Sequence, residues 1–147
     1  MGKIHGRKVQ VVTLHQDGPQ LKLLLLQTSV KRGSFWQNVT GKVEKGEALL
    51  AAAIRELQEE TGIAAQLISL NYQFEFRNHW NEQVEEHGFL CLLKSPGPPE
   101  IKLDPLEHLS YRWVNTHQIR MNYYAFPTNF TCFQKAMEII VSSGEVK

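Results

Sequence analysis

Apolar and polar positions along the chain change period several times, and each change predicts an element. Lys8 to His15 is rich in β-branched residues and predicts a strand. Gln16-Asp17-Gly18-Pro19 is a turn signal, and Leu21 to Gln27 predicts a second strand. Leu23 to Leu26 are apolar at consecutive positions, so that strand should be covered on both faces. Lys31-Arg32-Gly33-Ser34 reads as a loop. From Glu47 to Thr61 the pattern turns helical, with Leu50, Ala53, Ile54 and Leu57 on one face. Gly46 precedes this segment and Gly62 follows it, where a left-handed residue often ends a helix. Glu47 is expected in the first turn, at the end of the helix dipole that favours acids.

Further on, Leu70, Tyr72, Phe74 and Phe76 alternate with polar residues, which predicts a half-buried strand. Val84 to Leu93 is its expected hairpin partner. Ser95-Pro96-Gly97-Pro98-Pro99 breaks structure, and Leu109 to Val114 predicts one more strand. Phe130, Phe133, Met137 and Ile140 mark a C-terminal amphipathic helix. Strands on either side of a central helix, with a second helix after them, fit an α/β fold in which a mixed sheet lies between helical layers.

The chain has 147 residues, 42% hydrophobic and 21% charged, which predicts a single domain over residues 1–147 with a core of its own. Formal net charge is +1, so no broad field draws long nucleic acid or an acidic membrane. An anionic substrate would have to be met by a local site. Cys91 and Cys132 sit in apolar stretches with no Cys-x-x-Cys spacing, as expected of buried thiols in a reducing compartment. No apolar run approaches the ~18 residues of a bilayer span. Residues 1–10 lack the apolar core of a signal peptide. A cytoplasmic location is the expectation.

Candidate chemistry concentrates on the central helix, in Arg55-Glu56-Leu57-Gln58-Glu59-Glu60. Glu56 lies three residues before Glu59 and four before Glu60, so these carboxylates share a helix surface and repel one another. Arg55 can reach Glu59, but one arginine cannot neutralise three glutamates. Either this is a solvated acidic face, the common case, or it is a cation site. Hard oxygen donors without cysteine or a nearby histidine suit Mg²⁺ or Mn²⁺, not zinc. Upstream, Gly41-Lys42-Val43-Glu44-Lys45-Gly46-Glu47 offers a tight turn and a backbone carbonyl near Gly41 as a further oxygen ligand.

These residues resemble the Nudix box: Gly, five residues, Glu, seven residues, Arg-Glu, an aliphatic, one residue, Glu-Glu, one residue, Gly, an aliphatic. Gly41, Glu47, Arg55, Glu56, Leu57, Glu59, Glu60, Gly62 and Ile63 fill every specified position. At residue frequencies near ~0.07, seven fixed matches arise by chance about once in 10⁸ windows. The resemblance implies a Nudix-type α/β/α sandwich around a central mixed β-sheet, and a hydrolase that cuts a diphosphate bond with Mg²⁺, or Mn²⁺ as a substitute. It implies metal binding by Glu56, Glu59 and Glu60 with the Gly41 carbonyl, orientation of a glutamate by Arg55, and support from Glu47. Phe35 to Gly41 and Glu107 to Trp113 are similar to segments of dihydroneopterin triphosphate and nucleoside triphosphate pyrophosphatases. The late segment occurs also in diadenosine tetraphosphate hydrolases, which stand as the alternative. A non-catalytic nucleotide-binding module fits less well, because such proteins usually lose a box glutamate.

The general base is expected to be Glu56 or Glu107, unless Glu107 is only a loop-surface carboxylate. Glu85 and Glu86 could supply extra metal contacts, but a solvated hairpin is the favoured reading. His79, His87, His108 and His117 lack metal spacing and read as surface or loop residues. Trp36 and Asn38, just before the box, are candidate substrate contacts, through stacking and an amide. Tyr72, Phe74 and Phe76 could also stack on a ring, but the core is the favoured reading for aromatics in an alternating strand. Lys42 and Arg7 are candidate phosphate contacts among several cations that could equally be solvated. The expected partner is a small organic di- or triphosphate, with no long nucleic acid and no membrane. The protein would act as a monomer or homodimer.

Overall fold

A computed structural model describes residues 3–144, so Met1 and Gly2 of the N-terminal segment fall outside it. Its strands are β1 (Gly6–Asp17), β2 (Gln20–Thr28), β3 (Trp36–Gln37), β4 (Val39–Lys42), β5 (Ile68–Arg77), β6 (Gln83–Lys94) and β7 (His108–Asn115). The helices are α1 (Leu49–Thr61) and α2 (Pro127–Ser142). The strands form one mixed sheet. β1 and β6 pair in parallel at its centre, and β5 pairs antiparallel with the far side of β6.

The other edge of β1 is forked. Leu14 to Asp17 pair with β2, whereas Lys8 to Val11 pair with β4. β3 stays on β2, and β7 covers the opposite edge of β2.

Each face of the sheet carries one helix. Leu23 and Leu25 join Val12, Leu14 and Leu90 in a cluster under Cys132, Phe133, Ala136 and Ile140 of α2. Leu24 and Leu26 point the other way, to Val9, Val11, Phe89 and Ala52, Ala53 and Leu57 of α1. The consecutive leucines of β2 therefore serve both layers, and the expected mixed sheet between two helices is what the chain forms. Cys91 and Cys132 are buried free thiols, and burial pushes both up to about 12.

Two local expectations change. Helix α1 starts at Leu49 behind an uncapped Ala48, so Glu47 lies before the first turn and does not serve the dipole. Its buried stripe is Ala52, Ala53 and Leu57, while Leu50 faces solvent. Gly62 does end the helix, at φ 80° with its N–H on the Gln58 carbonyl.

Candidate active site

Arg55 organises the acidic end of α1. Its Nε and Nη2 donate to the two carboxylate oxygens of Glu47 at 2.8 and 2.9 Å, a fork-to-fork pair. Nη2 also donates to the Lys42 carbonyl at 2.9 Å, which ties the end of β4 to the helix. Nη1 reaches Glu56 at 2.9 Å and Glu59 at 3.2 Å. The guanidinium, helped by the Glu44 backbone N–H, holds Glu47 down to about 2. Glu47 in turn keeps Arg55 charged more firmly than an isolated arginine.

Glu56 and Glu60 sit deeper. The Glu56 side chain lies against Gly41, where an added Cβ would fall on its carboxyl group. Any side chain there would displace the Glu56 carboxyl, which accounts for glycine at the head of the motif. Burial raises the Glu56 carboxyl, opposed by Arg55. Glu60 is buried and its Oε2 has no hydrogen-bond partner among the described residues. Burial first, then the charges of Glu56 and Glu107, push its carboxyl up to about 9. Glu59 is exposed.

The donors suit a hard divalent cation. All are carboxylate or carbonyl oxygens, an unpartnered buried oxygen is on offer, and Gly41 makes room for a second carboxyl beside it. Among the described residues no three acids, histidines or cysteines close on one point, because Arg55 draws Glu56 and Glu59 toward itself.

Other expected site residues are dispersed. Glu107 is half exposed on the loop before β7 and pairs with Arg32 at 3.0 Å. Both lie near enough to Glu60 to affect its charge. Lys42 is exposed on β4. Arg7 is exposed beside Glu85 at 3.9 Å. Trp36 is half buried under the Arg112 guanidinium, 4.7 Å from its ring centre. Asn38 is fully buried, and its amide is used within the protein: Nδ2 donates to Gln10 and to the Asn129 carbonyl, and Oδ1 accepts from Tyr124. It has no free edge for a heterocycle.

Two readings are corrected. Glu86 is not solvated; it is buried and accepts from Gln10 at 2.7 Å. His108 is not at the surface either, and neither ring nitrogen has a partner among the described residues. Two shallow concavities, at the β1–β2 turn and beside Trp80, lie away from the acidic helix.

The NUDIX domain model matches residues 5–134. The chain belongs to the Nudix hydrolase family. Dihydroneopterin triphosphate diphosphatase of Escherichia coli is 31% identical to it over 126 residues, 77% of this chain and 81% of that enzyme. An octanoyltransferase of Myxococcus xanthus is 36% identical over 112 residues, 74% of this chain. The chain spans only 30% of that longer protein. The solved Ap4A hydrolase of C. elegans shares this Nudix fold with a TM-score of 0.78, covering 93% of this chain and 98% of that one at 20% identity. That likeness speaks to fold alone. Nudix hydrolases generally use a divalent metal and act on small nucleotide substrates. Among the described residues no helix is long and apolar enough to cross a membrane.

Proposed function

We propose that this protein is a Mg²⁺-dependent pyrophosphohydrolase of a nucleoside triphosphate or dihydroneopterin triphosphate, releasing the monophosphate and pyrophosphate. One observation carries this reading: the unpartnered, buried Oε2 of Glu60 on the same helix surface as the Glu56 carboxyl that Gly41 accommodates. The 31% identical diphosphatase supports the triphosphate substrate.

Glu56, Glu59, Glu60 and the Gly41 carbonyl would hold the cation, with Mn²⁺ as a substitute. When bound, a divalent ion neutralises phosphate charge and acidifies a coordinated water. The chain's own part is positioning. Arg55 fixes Glu56 and, through the Lys42 carbonyl, the end of the strand that carries Gly41. Water adds to the phosphorus next to the organic group, the bond to the bridging oxygen breaks, and pyrophosphate leaves. The water proton passes to a carboxylate. Glu56 and Glu107 are the candidates: burial raises the proton affinity of Glu56 against the pull of Arg55, and Glu107 is paired with Arg32.

A panel of canonical and oxidised nucleoside triphosphates, dihydroneopterin triphosphate and dinucleoside polyphosphates, assayed with Mg²⁺, tests the reading. Monophosphate plus pyrophosphate from a triphosphate is the expected product pair. Turnover of diadenosine tetraphosphate alone would replace it with the dinucleoside reading. Glu56→Gln and Glu60→Gln should each lower kcat by about 10²-fold or more while far-ultraviolet circular dichroism shows the fold retained. Near-normal rates in both would reject the residue assignment.

A further inference from the structure

Directly paired residues point to one face of a sheet, and one such row crosses four strands on the α2 side. Phe74 of β5 pairs with Glu86 of β6, Glu86 with Lys8 of β1, and Lys8 with Lys42 of β4. At a strand spacing of ~4.8 Å the row spans about 14 Å. It runs from an aromatic ring through an acid to two cations. Helix α1 packs against the opposite face of β4 and β1, so the cationic end of the row lies on the strands that carry the acidic helix.

Glu86 is the unusual member. Its side chain is only 6% exposed, yet it is not fully paired. Oε2 accepts from Gln10 Nε2 at 2.7 Å, and Oε1 has Lys8 Nζ at 4.0 Å and no hydrogen bond among the described residues. The neighbours fix its polarity. Tyr124 Oη donates to Asn38 Oδ1, Asn38 Nδ2 to Gln10 Oε1, and Gln10 Nε2 to Glu86. Every donor points toward Glu86, which as a carboxylate can only accept. A ligand that completes it must bring hydrogen-bond donors. Beside it the half-buried rings of Tyr72, Phe74 and Phe76 follow one another at 5.7 and 6.1 Å, an apolar wall for a flat ring.

We propose that Glu86 reads the N–H edge of the substrate's ring and selects a 2-amino-4-oxopyrimidine system, as in guanine or a pterin. The ring lies on Phe74 and the phosphates follow Lys8 and Lys42 toward the acidic helix. This rests on the triphosphate reading above and names its organic part. Such a ring presents a ring N–H and an amino group side by side, which a carboxylate accepts as a pair. Hypoxanthine lacks the amino group, and adenine offers a bare nitrogen at the same place.

Titration calorimetry with guanosine, inosine and adenosine monophosphates needs no turnover. The wild type should bind the guanosine compound at least ~10-fold more tightly than the other two. Glu86→Gln should bring the three within about 2-fold, and Phe74→Ala should weaken all three together. Equal affinities in the wild type, no binding of any of them, or a preference that survives Glu86→Gln would each overturn the proposal. The wild-type comparison stands even if the variant does not fold. A triphosphate panel separates the two readings: hydrolysis that ignores the amino group sinks the ring assignment alone, and selective binding without hydrolysis sinks the hydrolase reading alone.

Discussion

Arg55 donates five hydrogen bonds from three nitrogens, to Glu47, Glu56, Glu59 and the Lys42 carbonyl, and no lysine can copy that fork. Arg55→Lys should therefore free Glu47 and loosen the Glu56 carboxyl while keeping the charge. Positioning residues of this kind are worth roughly 10- to 100-fold in metal affinity or activity. We expect kcat/KM to fall by about that factor, with far-ultraviolet circular dichroism unchanged; an unaltered kcat/KM would show that Arg55 serves the fold and not the site. Glu60 gives a second test, through pH. Its carboxyl rises from 4.5 to about 9 on folding, so between those values the folded chain holds a proton that the unfolded chain has released. Stability from this group is complete below about pH 4.5 and declines as pH rises toward about 9. In chelator, the wild type should lose melting temperature across that window and Glu60→Gln should lose less. Added Mg²⁺ should restore the wild type at the alkaline end and leave the variant unmoved, because a ligand stabilises only the state that binds it. Parallel curves for the two proteins would remove Glu60 from the cation site.

The elements were legible where their hydrophobic period was long. β1, β2, β5, β6, β7 and α2 fall where alternation or helical spacing predicts them, and the two-faced leucine run of β2 was readable because four consecutive apolar residues admit little else. The start of α1 was not readable, since Glu47 suits a helix dipole as well as it suits Arg55, and only the fold brings Arg55 over it. β3 and β4 are too short to show a period and were seen only as the segment ahead of the motif. The C-terminal end of α1 was legible in a single glycine. Gly62 takes φ 80°, and an added Cβ would lie 3.2 Å from Lys102 Cβ. Gly62→Ala should cost about 1–2 kcal/mol by urea denaturation, the usual penalty for a side chain in the left-handed region. A cost near zero would mean that the helix end relaxes into another cap.

At the scale of the whole molecule, the site depends on how the sheet's forked edge is closed, and this is where sequence reading fell short. Asn38 looked like a substrate contact because an amide beside the motif can read a ring. Its real partners are Gln10, Tyr124 and Asn129, distant in sequence and invisible to any local pattern. Asn38 sits at the bend where the chain leaves β2 for β1, so its backbone N–H falls between the two ladders and donates to Asn129 Oδ1 of α2. One side chain then joins β1, the bend and the loop before α2. Tyr124→Phe removes one donor and strands Asn38 Oδ1, which should cost about 1–3 kcal/mol. Asn38→Ala strands Gln10 Oε1 and the Tyr124 hydroxyl at once and leaves a cavity, so its cost should exceed that of Tyr124→Phe. The same change frees Gln10 to turn its amide, which would offer Glu86 a carbonyl instead of a donor. Asn38→Ala should thus erode discrimination between guanosine and inosine monophosphates as well as stability, although Asn38 touches neither. Urea titration with calorimetry on the folded variant checks both halves. A variant as stable as Tyr124→Phe, with discrimination intact, would show that the network ends at Gln10 and that the bend is held by its backbone alone.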